Sequence, residues 1–121
     1  MSETTTSEAA RLPQLTLHAA QAEVDATIRA LGGYWPPLAN LARLFEECGE
    51  LARAVNQTHG PKQVKTGETQ AAAREELGDT LYMLLVLANS LELDAEGALA
   101  AVLAKVRGRV PHDADAGDGT P

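Results

Sequence analysis

The chain has 121 residues, the size of one domain, and a composition typical of globular proteins apart from its few aromatic side chains. Its 17 acidic residues outnumber its 10 basic ones, which argues against a nucleic-acid polymer as partner because phosphate backbones bind basic surfaces. The one cysteine excludes an internal disulfide, and neither a secretion-signal pattern nor an apolar run of membrane length occurs, so we expect a cytoplasmic protein with no membrane partner.

The two ends of the chain are predicted to be disordered tails. Residues 1–12 are rich in Ser, Thr and Glu, and residues 111–121 form an acidic segment in which Asp alternates with Gly and Ala. Residues 13–110 remain for one folded domain. No segment within them alternates apolar and polar residues as a strand does, whereas helical periodicity recurs four times. The sequence therefore predicts an all-α fold, a four-helix bundle.

The four predicted helices have recognisable start and stop signals. In chain order they cover residues 16–31, 37–57, 68–90 and 95–107. Gly32 and Gly33 end the first helix, because glycine readily adopts the backbone conformation that follows a helix. Pro37 suits the first position of the second helix, and Asp94 suits the N-cap before the fourth.

Apolar stripes predict how these helices pack. On the second helix, residues 38, 41, 45, 48, 52 and 55 recur in steps of three and four, which predicts a seam that buries Cys48. The third helix is apolar on every side after Asp79, so we expect it at the buried centre of the bundle. On the fourth helix, the residues expected to face inward are Leu99, Val102, Leu103 and Val106. Because a domain this small gains stability by association, we expect a homo-oligomer.

The second and third helices contain nearly the same hexapeptide, EECGEL at residues 46–51 and EELGDT at residues 75–80. Each places two acids three positions apart, where helical side chains are neighbours: Glu47 with Glu50, and Glu76 with Asp79. Like charges so placed repel, and a cation between the helices would offset the repulsion. Since hard cations such as Mg²⁺ and Mn²⁺ prefer carboxylate oxygens, the repeat predicts a metal site on a pair of facing helices.

A solvated acidic face, paired with nearby arginines, is the alternative interpretation of the repeat. Two features favour the metal site. Glu76 and Asp79 share a helical stripe with Met83, in a segment too apolar to face water. Each motif also has a glycine before its last acid, Gly49 and Gly78, although glycine costs a helix about 1 kcal/mol. That repeated cost predicts a close approach of the two backbones.

The segments PLANLARLFEECGELARAVN, EELGDTLYMLLVLANSLEL and KVRGR, which lie between residues 37 and 109, resemble the MazG-like nucleotide pyrophosphohydrolases of the short stand-alone bacterial type. The resemblance implies an all-α enzyme that cleaves nucleoside triphosphates between the α and β phosphates, giving a monophosphate and pyrophosphate. It also implies Mg²⁺ as cofactor, with Mn²⁺ as a substitute, and a homodimer or homotetramer with active sites near subunit contacts. The preferred base and sugar stay open.

The same resemblance implies roles for individual residues. Glu47, Glu50, Glu76 and Asp79 become the metal ligands, and Glu46 becomes the residue that orients or deprotonates the attacking water. The candidates for substrate binding are Trp35, Tyr82, Asn89, Lys105 and Arg109. For each candidate a structural role is the alternative: packing for the two aromatic residues, a helix cap for Asn89, and a favourable helix-end charge for the two basic residues. Glu75 has no expected catalytic role.

Two other functions are compatible with the acidic repeat. A non-enzymatic helical interaction module would use the acids to hold a structural cation or a basic partner. A metal-dependent phosphatase would release inorganic phosphate in place of pyrophosphate. The products formed from a panel of nucleotides distinguish these alternatives from the pyrophosphohydrolase.

Overall fold

The computed structural model of the chain describes residues 15–60 and 66–109, which form four helices and, within these two segments, no strand. They are α1 (Leu17–Ala30), α2 (Pro37–His59), α3 (Thr66–Ser90) and α4 (Ala95–Arg109). The predicted all-α fold of four helices is confirmed, and each helix end lies within two residues of its predicted position. None of the described helices combines the length and hydropathy needed to cross a membrane. The tails predicted at 1–12 and 111–121 lie outside the described residues.

Local signals explain where the helices begin and end. The Thr16 hydroxyl oxygen accepts a hydrogen bond from the Ala19 N–H at 3.0 Å and so caps α1. Gly32 and Gly33, with φ angles of 113° and 100°, end α1 in a conformation that favours glycine. Pro37 occupies the first turn of α2, where its missing N–H costs nothing.

The largest contact in the fold joins α2 and α3. Leu44 of α2 packs against Met83 and Val86 of α3 to form the buried core cluster. Thr80 comes one turn before Met83 on α3, and Glu47 comes one turn after Leu44 on α2. The Thr80 hydroxyl lies 3.4 Å from the Glu47 carbonyl oxygen, so the two helices are antiparallel. α1 crosses α3 and packs its partly buried apolar side chains against the same cluster.

The packing face of α2 differs from the predicted seam. The buried and partly buried side chains of α2 are at residues 40, 41, 44, 47, 51, 54, 57 and 58. Of the predicted seam, only Leu41 is partly buried, and it packs against the core cluster. In contrast, Phe45 is 65% exposed, and Cys48 and Val55 are also exposed. Both stripes have the three-and-four spacing of a packing seam, so periodicity alone does not choose between them. The prediction that Cys48 lies in the core is therefore wrong, and the buried face includes Glu47 instead.

Apolar side chains of α3 and α4 also stay exposed in the single chain. On α3, Leu84 is 45% exposed, and Leu77 and Leu81 are exposed to a similar extent. On α4, the exposed residues are Leu99, Val102, Leu103 and Val106. The predictions that α3 is buried on every side and that the α4 stripe faces an internal core are therefore wrong for one chain. The physical reason is that α4 packs chiefly against α1 and leaves that stripe uncovered.

Gln21 of α1 fastens the turn between α3 and α4. Its Nε2 group donates to Asn89 Oδ1 at 2.9 Å and to the Leu93 carbonyl oxygen at 2.8 Å. Its Oε1 accepts from the Ala95 N–H at 2.8 Å, while Asn89 Nδ2 donates to the Gln21 carbonyl oxygen at 3.0 Å. The turn contains Glu92 at a φ of 56°, which is unfavourable for a residue with a side chain. These hydrogen bonds therefore hold the start of α4 against α1.

We expect Gln21→Ala to lower the free energy of unfolding by about 2 kcal/mol, because it takes the Gln21 partner away from two partly buried groups, the Asn89 Oδ1 atom and the Ala95 N–H. Urea denaturation followed by circular dichroism, at one protein concentration, measures the change. Glu23→Ala is the matched control, since Glu23 is exposed on the same helix, and its effect should stay within about 0.5 kcal/mol. Equal losses in the two variants would contradict the role of Gln21.

Candidate metal centre

Three carboxylates of the two acidic motifs converge where α2 packs against α3. Glu47, Glu76 and Asp79 each offer a carboxylate oxygen, and these oxygens lie within 4.8 Å of one another. Two oxygen ligands of one Mg²⁺, each about 2.1 Å from the ion, lie roughly 3 to 4 Å apart. Small side-chain rotations would therefore bring all three carboxylates onto one divalent cation. These residues are called the acid triad below.

Helix packing positions the triad. The Glu47 side chain is only 12% exposed because it lies on the face of α2 that packs against α3. Glu76 and Asp79 lie about one turn apart on α3, next to the buried Thr80. The Thr80 hydroxyl is 2.8 Å from the Glu76 carbonyl oxygen and 3.4 Å from that of Glu47. Thr80 thus lies between the backbones of two triad residues and helps to set their separation.

The like charges of the site affect the protonation of Glu76. Partial burial raises the pKa of the Glu76 carboxyl group, and the negative charges of Asp79, Glu50, Glu47 and Glu75 raise that pKa further. Ionising Glu76 is therefore unfavourable, because it adds a negative charge close to the negative charges of these carboxylates. A bound cation would reverse the effect and favour the ionised form. An all-oxygen, crowded ligand set of this kind is compatible with a divalent cation.

Arg43 supplies positive charge next to the triad. It lies one turn before Glu47 on α2, and its Nη2 atom is 3.2 Å from Glu47 Oε1. Its Nη1 atom is 3.6 Å from Glu46 Oε2. Because the arginine side chain is about half exposed, water screens both ion pairs, and neither contributes much stability. Arg43 can therefore exchange one anionic partner for another at little cost.

The remaining acids of the repeat surround the triad. Glu50 is not one of the carboxylates grouped within 4.8 Å, yet it is close enough for its charge to raise the pKa of Glu76. Glu46 is exposed and faces Arg43, and Glu75 is exposed beside Glu76. Glu50 as a fourth ligand and Glu46 as the base stay predictions.

The two motif glycines do not bring the helix backbones together. A Cβ atom added at Gly49 or at Gly78 would have nothing within 4 Å. The prediction of a close backbone approach at these positions is therefore wrong. Both residues are exposed within the single chain, so the helix contact places no demand on their size.

Trp35 and Tyr82 line a single cavity of about 340 Å³ beside the triad. Trp35 is 61% exposed and forms an open wall, whereas Tyr82 also packs against the core cluster. Asn40 and Arg43, from the first two turns of α2, supply polar groups to the same cavity. The cavity therefore joins both predicted aromatic residues to the arginine that contacts the triad.

The other predicted substrate contacts lie elsewhere in the fold. Asn89 forms its side-chain hydrogen bonds with Gln21 on α1, which makes it a link between helices. Lys105 and Arg109 are exposed on α4, which packs chiefly against α1, whereas the triad lies between α2 and α3. The structure does not group these three residues with the triad, and their contact with substrate stays a prediction.

Thr80, Arg43 and Asn40 are the residues of this region that were not predicted from the sequence. Asn40 and Thr80 are polar side chains at positions that the fold buries. The available signal was the second three-and-four stripe of α2, which begins at Asn40 and includes Glu47. A polar residue in such a stripe indicates a buried group that needs a partner.

The comparisons with known proteins agree with this geometry. A family model described as the MazG nucleotide pyrophosphohydrolase domain matches residues 36–114. The uncharacterized protein YpjD of Bacillus subtilis (strain 168) is 46% identical over 95 residues, which make up 78% of this chain and 86% of that protein.

Two solved structures have the same fold and similar sequences. One is the Bacillus-conserved MazG protein, a nucleotide pyrophosphohydrolase, with a TM-score of 0.68 and 42% identity over 78% of this chain and 93% of that one. The other is the putative pyrophosphatase YPJD from Bacillus subtilis, with a TM-score of 0.70 and 45% identity over 78% and 97% of the two chains.

We expect Glu76→Gln to raise the Tm of the metal-free protein, and the gain should grow from about pH 4 to about pH 7. The sign follows from the raised pKa of Glu76: the stability from its neutral form is present at acid pH and is lost as the carboxyl group ionises. Added Mg²⁺ should raise the Tm of the wild type and have less effect on the variant. Thermal denaturation with a chelator and then with Mg²⁺ measures both effects.

Glu75→Gln is the matched control, because Glu75 is the exposed neighbour that contributes least to the pKa shift of Glu76. It should change the Tm less and leave the response to Mg²⁺ intact. A Tm gain in Glu76→Gln that is independent of pH, together with an unchanged response to Mg²⁺, would exclude the triad as a cation site.

Proposed function

The chain belongs to the MazG nucleotide pyrophosphohydrolase family, and we propose that it hydrolyses nucleoside triphosphates to the monophosphate and pyrophosphate with Mg²⁺ as cofactor. The observation that supports this proposal is the acid triad, in which two facing helices hold carboxylate oxygens within 4.8 Å of one another. A phosphoanhydride substrate carries several negative charges, so an acidic site binds it only through cations.

Glu47, Glu76 and Asp79 would hold the cation, with Glu50 close by as a further ligand. A divalent cation supplies neutralisation of the phosphate oxygens and a more acidic water. Mn²⁺ would serve as a substitute, since it accepts the same oxygen ligands. Glu46, exposed beside the triad, would orient the attacking water and accept its proton.

Positive side chains would complete the binding of the phosphates. Arg43 is already next to the triad and exchanges partners easily, so it can turn toward a phosphate. Lys105 and Arg109 would reach the site from α4 of a second copy. Trp35, Tyr82 and Asn89 remain candidates for contacts with the rest of the substrate.

We further propose a homodimer or homotetramer formed by the exposed apolar stripes of α2, α3 and α4. Large apolar side chains on all three helices are about half exposed or more in the single chain, and extended exposed apolar patches are typical of interaction surfaces. A second copy of the chain is the proposed partner that covers these stripes, because an apolar stripe with three-and-four spacing packs well against another such stripe. The nucleotide substrate pool is cytoplasmic, so the proposed activity goes with a cytoplasmic location.

Asp79→Asn should lower kcat by about 100-fold or more, because it removes a carboxylate charge from the triad while the residue stays exposed and outside the core. A panel of nucleoside triphosphates with Mg²⁺, with products separated by anion exchange, measures both turnover and product. Monophosphate plus pyrophosphate supports the proposal. Diphosphate plus inorganic phosphate would identify a phosphatase, and no turnover of any nucleotide by the wild type would remove the proposed activity.

Val102→Glu on α4 should dissociate the oligomer toward the 12.7 kDa single chain, because it buries a charge in the proposed interface. Light scattering coupled to size-exclusion chromatography measures the mass. Ala101→Glu, on the opposite face of α4, is the matched control and should keep the wild-type mass. A monomeric wild type would refute the oligomer without affecting the proposed reaction.

A further inference from the structure

The cavity beside the triad has the composition of a small-molecule site. Its volume of about 340 Å³ lies within the range of roughly 300 to 1,000 Å³ found for ligand pockets. Its walls are mostly apolar or aromatic, and they include Ile28, Tyr34, Trp35, Tyr82 and Met83. A few polar groups, from Asn40 and Arg43, converge on the same space. A flat, largely apolar group with a polar edge fits such walls.

The position of the cavity relates it to the proposed reaction. Arg43 lines the cavity and also lies 3.2 Å from Glu47 of the triad. On the opposite helix, Tyr82 follows Asp79 by one turn. Asn40 precedes Glu47 by seven residues, which is about 10 Å along the axis of α2. A ligand with an anionic end at the triad would thus extend its other end into the cavity.

Asn40 offers a hydrogen-bond acceptor to this cavity. It is only 3% exposed, and its Nδ2 atom donates to the Trp35 carbonyl oxygen at 3.0 Å. That hydrogen bond fixes the orientation of the amide. No hydrogen bond to the Oδ1 atom comes from the side chains and backbone groups that the structure describes, and none of their buried side-chain oxygens lacks a partner, so this acceptor is open to the cavity that Asn40 lines. An N–H group of a ligand in the cavity can donate a hydrogen bond to it.

We propose that the cavity binds the nucleobase and that Asn40 is a specificity-determining residue, whose Oδ1 atom accepts a hydrogen bond from an amino or imino N–H of the base. The exposed face of Trp35 stacks on the base from the side. This inference rests on the proposed function, because the phosphates must be held at the triad for the base to reach Asn40.

The test compares a nucleoside triphosphate with ribose 5-triphosphate, which has the same phosphates and no base. The wild type should prefer the nucleotide in kcat/KM. Asn40→Leu, which has a similar shape and no acceptor, should lower kcat/KM for the nucleotide by about 10-fold to 100-fold and leave the base-free compound within about twofold. An equal loss for both compounds would show that Asn40 acts only through the structure, and no loss for the nucleotide would also overturn the inference.

Asp25→Ala controls for loosening of the connector between α1 and α2. Asp25 accepts a hydrogen bond from the Tyr34 hydroxyl at 2.5 Å and so helps to hold this connector, yet it does not line the cavity. The variant should lower the Tm and keep the preference for the nucleotide over the base-free compound. Loss of the preference in Asp25→Ala would mean that connector mobility, not the Asn40 acceptor, sets specificity.

Binding can be followed without turnover, because Trp35 is the one tryptophan of the chain and lines the cavity. A nucleoside triphosphate should quench the fluorescence of the wild type in a saturable way. Ribose 5-triphosphate and inorganic tripolyphosphate should quench it far less at the same concentration. Equal quenching by all three would refute base binding even if Asn40→Leu does not fold. If no triphosphate is hydrolysed but the base-dependent quench is present, the proposed reaction fails and the cavity assignment stands.

Discussion

The packing of α2 against α3 holds three carboxylates within 4.8 Å of one another, although their own interaction pushes them apart. Leu44, Met83 and Val86 form the buried apolar contact between these helices, and the Thr80 hydroxyl lies 2.8 Å from the Glu76 carbonyl oxygen and 3.4 Å from that of Glu47. Part of the stability gained from the core thus offsets charge repulsion. Such an arrangement is typical of a functional site, because like charges held close together cost stability unless a cation offsets them.

The core that supports this arrangement is small. Among the residues whose burial the structure describes, five apolar ones are buried in the single chain, whereas apolar side chains on three helices remain about half exposed or more. A second copy that covers those stripes would add apolar contact to the same helices that hold the triad. Assembly of this kind would link the stability of the repelling acids to the contact between copies.

The sequence predicts the helices and the convergence of the acids better than it predicts which faces are buried. Caps, prolines and glycines are local signals, so the helix ends agree with the structure. The acidic repeat is also local, and the two helices bring three of its four predicted ligands together. Which face of a helix is buried depends on the neighbouring helices, and their positions cannot be derived from local sequence signals. α2 has two stripes of equal spacing, and the choice of the one with Glu47 over the one with Cys48 follows from where α3 lies.

Arg43 connects the two halves of the region. Its guanidinium contacts Glu47, while its side chain forms part of the cavity that contains Asn40 and Trp35. A cation at the triad would compete with Arg43 for Glu47, and the half-exposed ion pair is weak enough to give way. The released Arg43 side chain would then be available to a nucleotide whose phosphates lie at the triad and whose base lies in the cavity. In the proposed reaction, cation binding at the triad would in this way free Arg43 for the substrate.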